Sequence, residues 1–82
     1  MVIKDHTRKF IVETFLYGNE DALEDDTSLS ETGIVDSTGI LEIIAFLEEE
    51  FSIHIKDDEL TLGNLDSIAL ISRFIEYKQN PQ

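Results

Sequence analysis

Between Asp36 and Phe51 apolar residues return every three or four positions, at Ile40, Ile43, Ile44, Leu47 and Phe51, with Leu41 and Ala45 beside them. That spacing is the period of an α-helix with one buried stripe, and it is the clearest pattern in the chain. Asp36 precedes it as an N-cap, with a carboxylate able to accept from the N–H of Thr38 or Gly39. An earlier stretch, Asp5 to Tyr17, places Thr7, Phe10, Ile11, Thr14 and Phe15 near one face, and Gly18-Asn19 supplies its stop. A last helical pattern opens after Asp66-Ser67, carries Ile68, Ile71, Phe74 and Ile75 on one face, and ends before Asn80-Pro81.

The intervening segments are less regular. Gly18 to Val35 is acidic and rich in turn formers, yet Leu23, Leu29, Ile34 and Val35 recur as apolar anchors. A long connection pinned to the core is predicted there, either bare or with a short helical turn inside it. Ser52-Ile53-His54-Ile55 alternates like a strand but has no strand to pair with, so an extended loop is expected. Asp57-Asp58-Glu59-Leu60 predicts a short third helix with acids at its positive end, broken by Thr61-Leu62-Gly63-Asn64. The sum is an all-α fold: a small four-helix bundle with one long connection between its first and second helices. No repeat or composition break divides the chain, so 1–82 reads as one domain, with 1–4 and 79–82 expected to fray.

Composition narrows the function. Six Lys and Arg face 18 Asp and Glu, a net charge of -12, which argues against nucleic-acid phosphates and anionic membrane surfaces as partners. A basic protein partner is the natural complement. The imbalance is local as well, because residues 10–55 hold 12 acids and no Lys or Arg. With 41% hydrophobic residues the chain has enough apolar material to fold, yet 82 residues leave little room for a deep enzyme cleft. The absence of Cys removes disulfides and thiolate metal sites. Met1-Val2-Ile3-Lys4-Asp5 carries no sustained apolar run and nothing later is long enough to span a bilayer. A cytoplasmic monomer with no membrane insertion is expected.

Catalytic and metal signatures do not emerge. His6 and His54 stand far apart without a third ligand, and the acidic run Glu20–Asp26 lacks the alternating ligands and central Gly of a calcium loop. No metal site and no catalytic residue is predicted. The run Glu48-Glu49-Glu50 is more informative, because carboxylates at a helix C-terminus oppose its dipole at about 0.3–1 kcal/mol each. No Lys or Arg four residues away offsets them. With Glu42 and Asp36 along the same element they read as a docking surface for basic patches.

The stretch from Asp26 to Phe51 resembles the acyl carrier protein family. Thr27-Ser28-Leu29, Gly33, Asp36-Ser37, Glu42 and Glu48-Glu49-Glu50-Phe51 carry the resemblance, followed by Ile55, Asp57, Asp58 and Glu59. The resemblance implies that Ser37 carries 4′-phosphopantetheine, transferred from coenzyme A by a phosphopantetheinyl transferase. Asp36 would support that transfer by helping to position the metal-bound coenzyme A. The thiol of the arm would then hold acyl groups as thioesters and present them to synthases or acyltransferases of fatty-acid, lipid or secondary-metabolite biosynthesis. On this reading the chain is a substrate of enzymes and not an enzyme.

Two departures matter. Where many acyl carriers read Asp-Ser-Leu, this chain reads Asp-Ser-Thr-Gly, so Thr38 takes the place of an apolar partner contact. The Ser-X-Gly order also looks like D-alanyl and other aminoacyl carriers loaded by adenylating ligases. Partner contacts are thus assigned to Asp36, Thr38, Glu42, Glu48 and Glu49. Ile43, Phe46, Leu47, Leu60 and Leu62 are open to two readings, acyl-pocket lining or ordinary core. The second Asp-Ser pair, Asp66-Ser67, reads as a helix cap alone. An unmodified acidic interaction module, such as an inhibitor or nucleic-acid mimic, is the alternative of another class.

Overall fold

The computed structural model describes residues 2–79 and places four α-helices and two 3₁₀ turns among them, with no strand. Helix α1 spans Val2–Phe15, α2 Ser37–Phe51, α3 Leu62–Leu65 and α4 Ile68–Gln79; the 3₁₀ turns are Glu20–Ala22 and Asp57–Glu59. α4 packs against both α1 and α3. The all-helical bundle is as the patterning predicts. Of the ends expected to fray, Met1 and residues 80–82 lie outside the described residues, while Val2–Lys4 and Gln79 are helical.

Each predicted stripe supplies the core. Ile11 of α1, Ile43 and Leu47 of α2, and Ile68, Ile71 and Ile75 of α4 are fully buried. Val12, which the sequence pattern left off the stripe, is buried too, while Thr14 is exposed. α1 stops at Phe15 because Tyr17 and Gly18 both take the left-handed conformation, at φ 53° and 87°. The Gly18 N–H then closes onto the Val12 carbonyl at 3.0 Å. Thr7 is fully buried and its hydroxyl has no hydrogen-bond partner among the described residues. Thr7→Val keeps its shape and removes the unpaired group, so it is expected to raise stability by about 1 kcal/mol. A higher urea midpoint at unchanged slope checks this; a lower midpoint contradicts it.

The long connection is pinned as expected and includes the short helical turn. Leu23, Leu29 and Val35 are buried and Ile34 half-buried. Its charge is managed from α1: Arg8 donates to the Leu23 carbonyl at 2.6 Å and to the Asp25 carboxylate, and Lys4 lies 3.5 Å from Asp25. The Arg8 hydrogen bond, with Lys4 nearby, holds the Asp25 carboxyl below its ordinary range against the opposing push of burial. Cations from outside the acidic stretch thus reach into it.

The short third helix is displaced from its predicted position. Asp57–Glu59 forms only a 3₁₀ turn, and the α-helix falls at Leu62–Leu65, where a break was expected. Tertiary anchoring overrides local propensity here. Glu59 accepts from the Lys56 N–H, a local capping-box bond that starts the turn, and from Lys78 Nζ of α4, both at 2.9 Å. Those contacts, the Lys56 N–H foremost, lower its carboxyl pKa. Leu65 is buried, which winds the chain around it, with the Thr61 carbonyl accepting from Asn64 and Leu65 at 3.1 Å.

Candidate functional site

α2 begins where Asp36 leaves the extended conformation. Its Oδ1 accepts the Gly39 N–H at 2.7 Å and its carbonyl accepts the Ile40 N–H at 3.0 Å, the capping geometry expected of it. Ser37 is therefore the first helical residue, exposed, with a hydroxyl that has no hydrogen-bond partner among the described residues. Two first-turn amides, those of Ser37 and Thr38, also lack an acceptor among the described residues. The positive end of the helix dipole and these amides favour an anionic substituent on Ser37, while the Asp36 carboxylate opposes it.

Beside Ser37 lies a cleft of about 490 Å³. Ile40, Leu41 and Ile44 of α2 line it together with Leu60 and Leu62, and Leu29, Ser30 and Asp66 complete the lining. Leu41 is 62% exposed and Leu62 64%, an unusual state for leucines in so small a fold. The five candidates for pocket or core separate cleanly. Leu60 and Leu62 line the cleft, Ile43 and Leu47 are core, and Phe46 turns the other way to stack on Phe10 of α1 at 4.2 Å between centroids.

The acidic candidates also separate. Thr38, Glu42, Ala45 and Glu49 are exposed at helical spacing along one stripe of α2. Glu48 is not on that stripe: its Oε2 accepts the Ile55 N–H at 2.9 Å and lies 3.5 Å from His54 Nδ1. Glu50 pairs with His6 of α1 at 2.9 Å. The glutamate run therefore splits into one outward residue and two that tie α2 to its surroundings.

Gly39 has a reason that its sequence position does not reveal. A Cβ there would lie 2.8 Å from Phe15 Cε1, 3.1 Å from Val35 Cγ1 and 3.3 Å from Asp36 Oδ1. The close approach it permits is internal, between α1 and the start of α2. Asp66 was likewise legible only as a cap. Its Oδ2 accepts the Ser28 hydroxyl at 2.5 Å and its Oδ1 the Ser30 N–H at 2.9 Å, while Ser67 caps α4 by accepting the Leu70 N–H at 3.1 Å. Burial pushes the Asp66 carboxyl up, but the bonds from Ser28 and Ser30 outweigh it and hold the group below its ordinary range.

A family model of the phosphopantetheine attachment site matches residues 9–75. The chain belongs to this family of acyl carriers. The carrier is also 30% identical over 73 residues to a probable acyl carrier protein, PigG, of Serratia sp. (strain ATCC 39006), covering 88% of this chain and 84% of that one. Domains of this family attach 4′-phosphopantetheine, and the residues of this carrier fit that group. An unencumbered hydroxyl, unfilled first-turn amides and a neighbouring cleft meet at one helix end. No helix among the described residues of the carrier is long and apolar enough to cross a membrane.

Proposed function

We propose that Ser37 is the attachment residue, and that this carrier shuttles acyl groups between biosynthetic enzymes in the cytoplasm without catalysis of its own. The observation that supports it most is the exposed Ser37 hydroxyl, without a hydrogen-bond partner among the described residues, at the start of α2. Within a phosphopantetheinyl transferase this hydroxyl attacks the pyrophosphate of coenzyme A. A Ser37 Oγ–P bond forms, a pyrophosphate P–O bond breaks, the nucleotide leaves, and the hydroxyl proton passes to a base of the transferase. Asp36, already ordered by its bond to Gly39, retains a second carboxylate oxygen to face the metal-bound coenzyme A in that enzyme. When attached, the group supplies a thiol that holds cargo as a thioester.

The test is intact-mass measurement after incubation of the apo-protein with coenzyme A and a broad-specificity transferase. One phosphopantetheinyl addition, mapped to the peptide containing Ser37, is expected; no addition overturns the proposal. The alternative cargo is an aminoacyl group loaded by an adenylating ligase, suggested by the Ser-X-Gly order; Gly39 also has a structural use, in its close approach to Phe15.

Docking of partners with basic patches, the transferase first among them and then ligases, synthases or acyltransferases, runs along Thr38, Glu42 and Glu49, with Asp36 at its head. Replacing Glu42 and Glu49 together by Lys leaves the internal bonds of Glu48 untouched. It is expected to raise the KM for loading roughly tenfold at low salt, with the difference shrinking towards about 0.5 M salt. Loading that is unaltered at every ionic strength contradicts this docking mode.

A further inference from the structure

The bonds made by Asp66 lead, step by step, to Ser37. Three consecutive loop residues are held by this one side chain and its carbonyl: Ser28 and Ser30 through the carboxylate, and Leu29 through its N–H to the Asp66 carbonyl at 2.7 Å. The Leu29 carbonyl accepts the Val35 N–H at 3.1 Å. Val35 is buried and directly precedes the capping Asp36, and its Cγ1 occupies the space that a side chain at Gly39 would need. Asp66 and Ser37 then meet again as lining of the same cleft. Asp66 makes no capping bond to α4, which Ser67 caps instead, so helix initiation does not account for its partners.

We propose that Asp66 is a positioning residue for the modification of Ser37, acting as a latch that holds the Ser28–Val35 segment and, through it, the start of α2. The inference rests on Ser37 being the attachment residue. With the latch closed, Asp36 and Ser37 are presented in one arrangement. With it open, only a fraction of molecules presents the competent arrangement, and apparent affinity for the transferase falls by that fraction. Chemistry inside the bound complex is unchanged, because the transferase selects the competent form.

The test is steady-state loading of apo-protein by a broad-specificity phosphopantetheinyl transferase with coenzyme A, for the wild type, Asp66→Ala, Ser28→Ala and the double variant, well below their melting temperatures. Asp66→Ala is expected to raise KM roughly five- to tenfold at unchanged kcat. Unlike the Glu42 and Glu49 effect, this rise persists at high salt. Ser28→Ala is expected to act in the same direction but less, and to add nothing in the Asp66→Ala background. In the free apo-proteins, amide resonances from Leu29 to Thr38 are expected to shift or broaden in the variants, while those of α4 beyond Leu70 stay in place. Should Asp66→Ala not fold, Ser28→Ala and Asp66→Asn carry the same comparison. Wild-type KM in folded variants, or unmoved resonances at Ser37, overturns the latch alone, whereas a wild type that takes no addition overturns the attachment site itself.

Discussion

Ser37→Ala is expected to abolish the gain in mass on incubation with coenzyme A and a phosphopantetheinyl transferase, whereas Ser67→Ala leaves it intact. Both serines follow an aspartate at a helix start, so the pair separates a carrier site from ordinary capping. Ser37 is exposed and its hydroxyl has no partner among the described residues. Ser67 is only 5% exposed, and its oxygen accepts the Leu70 N–H. A transferase could reach Ser67 only by unwinding the start of α4, whose Ile68 and Ile71 are fully buried. Removing the Ser37 hydroxyl breaks no bond, so stability is expected to stay within about 0.5 kcal/mol of the wild type. The loss would then be chemical and not a failure to fold. Intact mass and thermal melting together decide it, and an addition that survives in Ser37→Ala places the attachment elsewhere.

Gly39→Val is expected to destabilise the fold by about 1–3 kcal/mol, a fall in melting temperature on the order of 10 °C for a domain of this size. The new Cβ would meet the Phe15 ring at 2.8 Å, the Val35 side chain at 3.1 Å and the capping Asp36 oxygen at 3.3 Å. Phe15, half-buried and packed edge to face on Phe10 at 6.3 Å, would have to shift to make room. Gly39→Ala should cost less, because the smaller clash is partly offset by about 1 kcal/mol of helix propensity. Circular-dichroism melts of the two variants check the ordering. A Gly39→Val melt equal to the wild type would show that Phe15 has room to withdraw. The glycine thus serves the junction of α1 and α2.

The legible parts of this carrier were those whose cause is local. α2 and α4 follow from apolar residues at helical spacing, and the Asp36 cap follows from a carboxylate placed three residues before a first-turn amide. The displaced α3 shows the converse. Acids at Asp57–Glu59 favour a helix start and Glu59 caps the turn through the Lys56 N–H, but its other bond ties it to Lys78, 19 residues away, and the α-helix falls where Leu65 is buried.

By itself, then, the sequence determined an all-helical acyl carrier with an acidic second helix and a serine at the start of that helix. Periodicity, capping chemistry and a motif spread over neighbouring positions all act within a few residues. Only the tertiary structure decided which acids face outward and which leucines line the cleft. It also turned Asp66 towards the Ser28–Ser30 loop, 36 and 38 residues away. A carboxylate is available to a partner or committed to the fold according to which N–H or O–H group comes within about 3 Å of it. Folding brings those donors from distant parts of the chain.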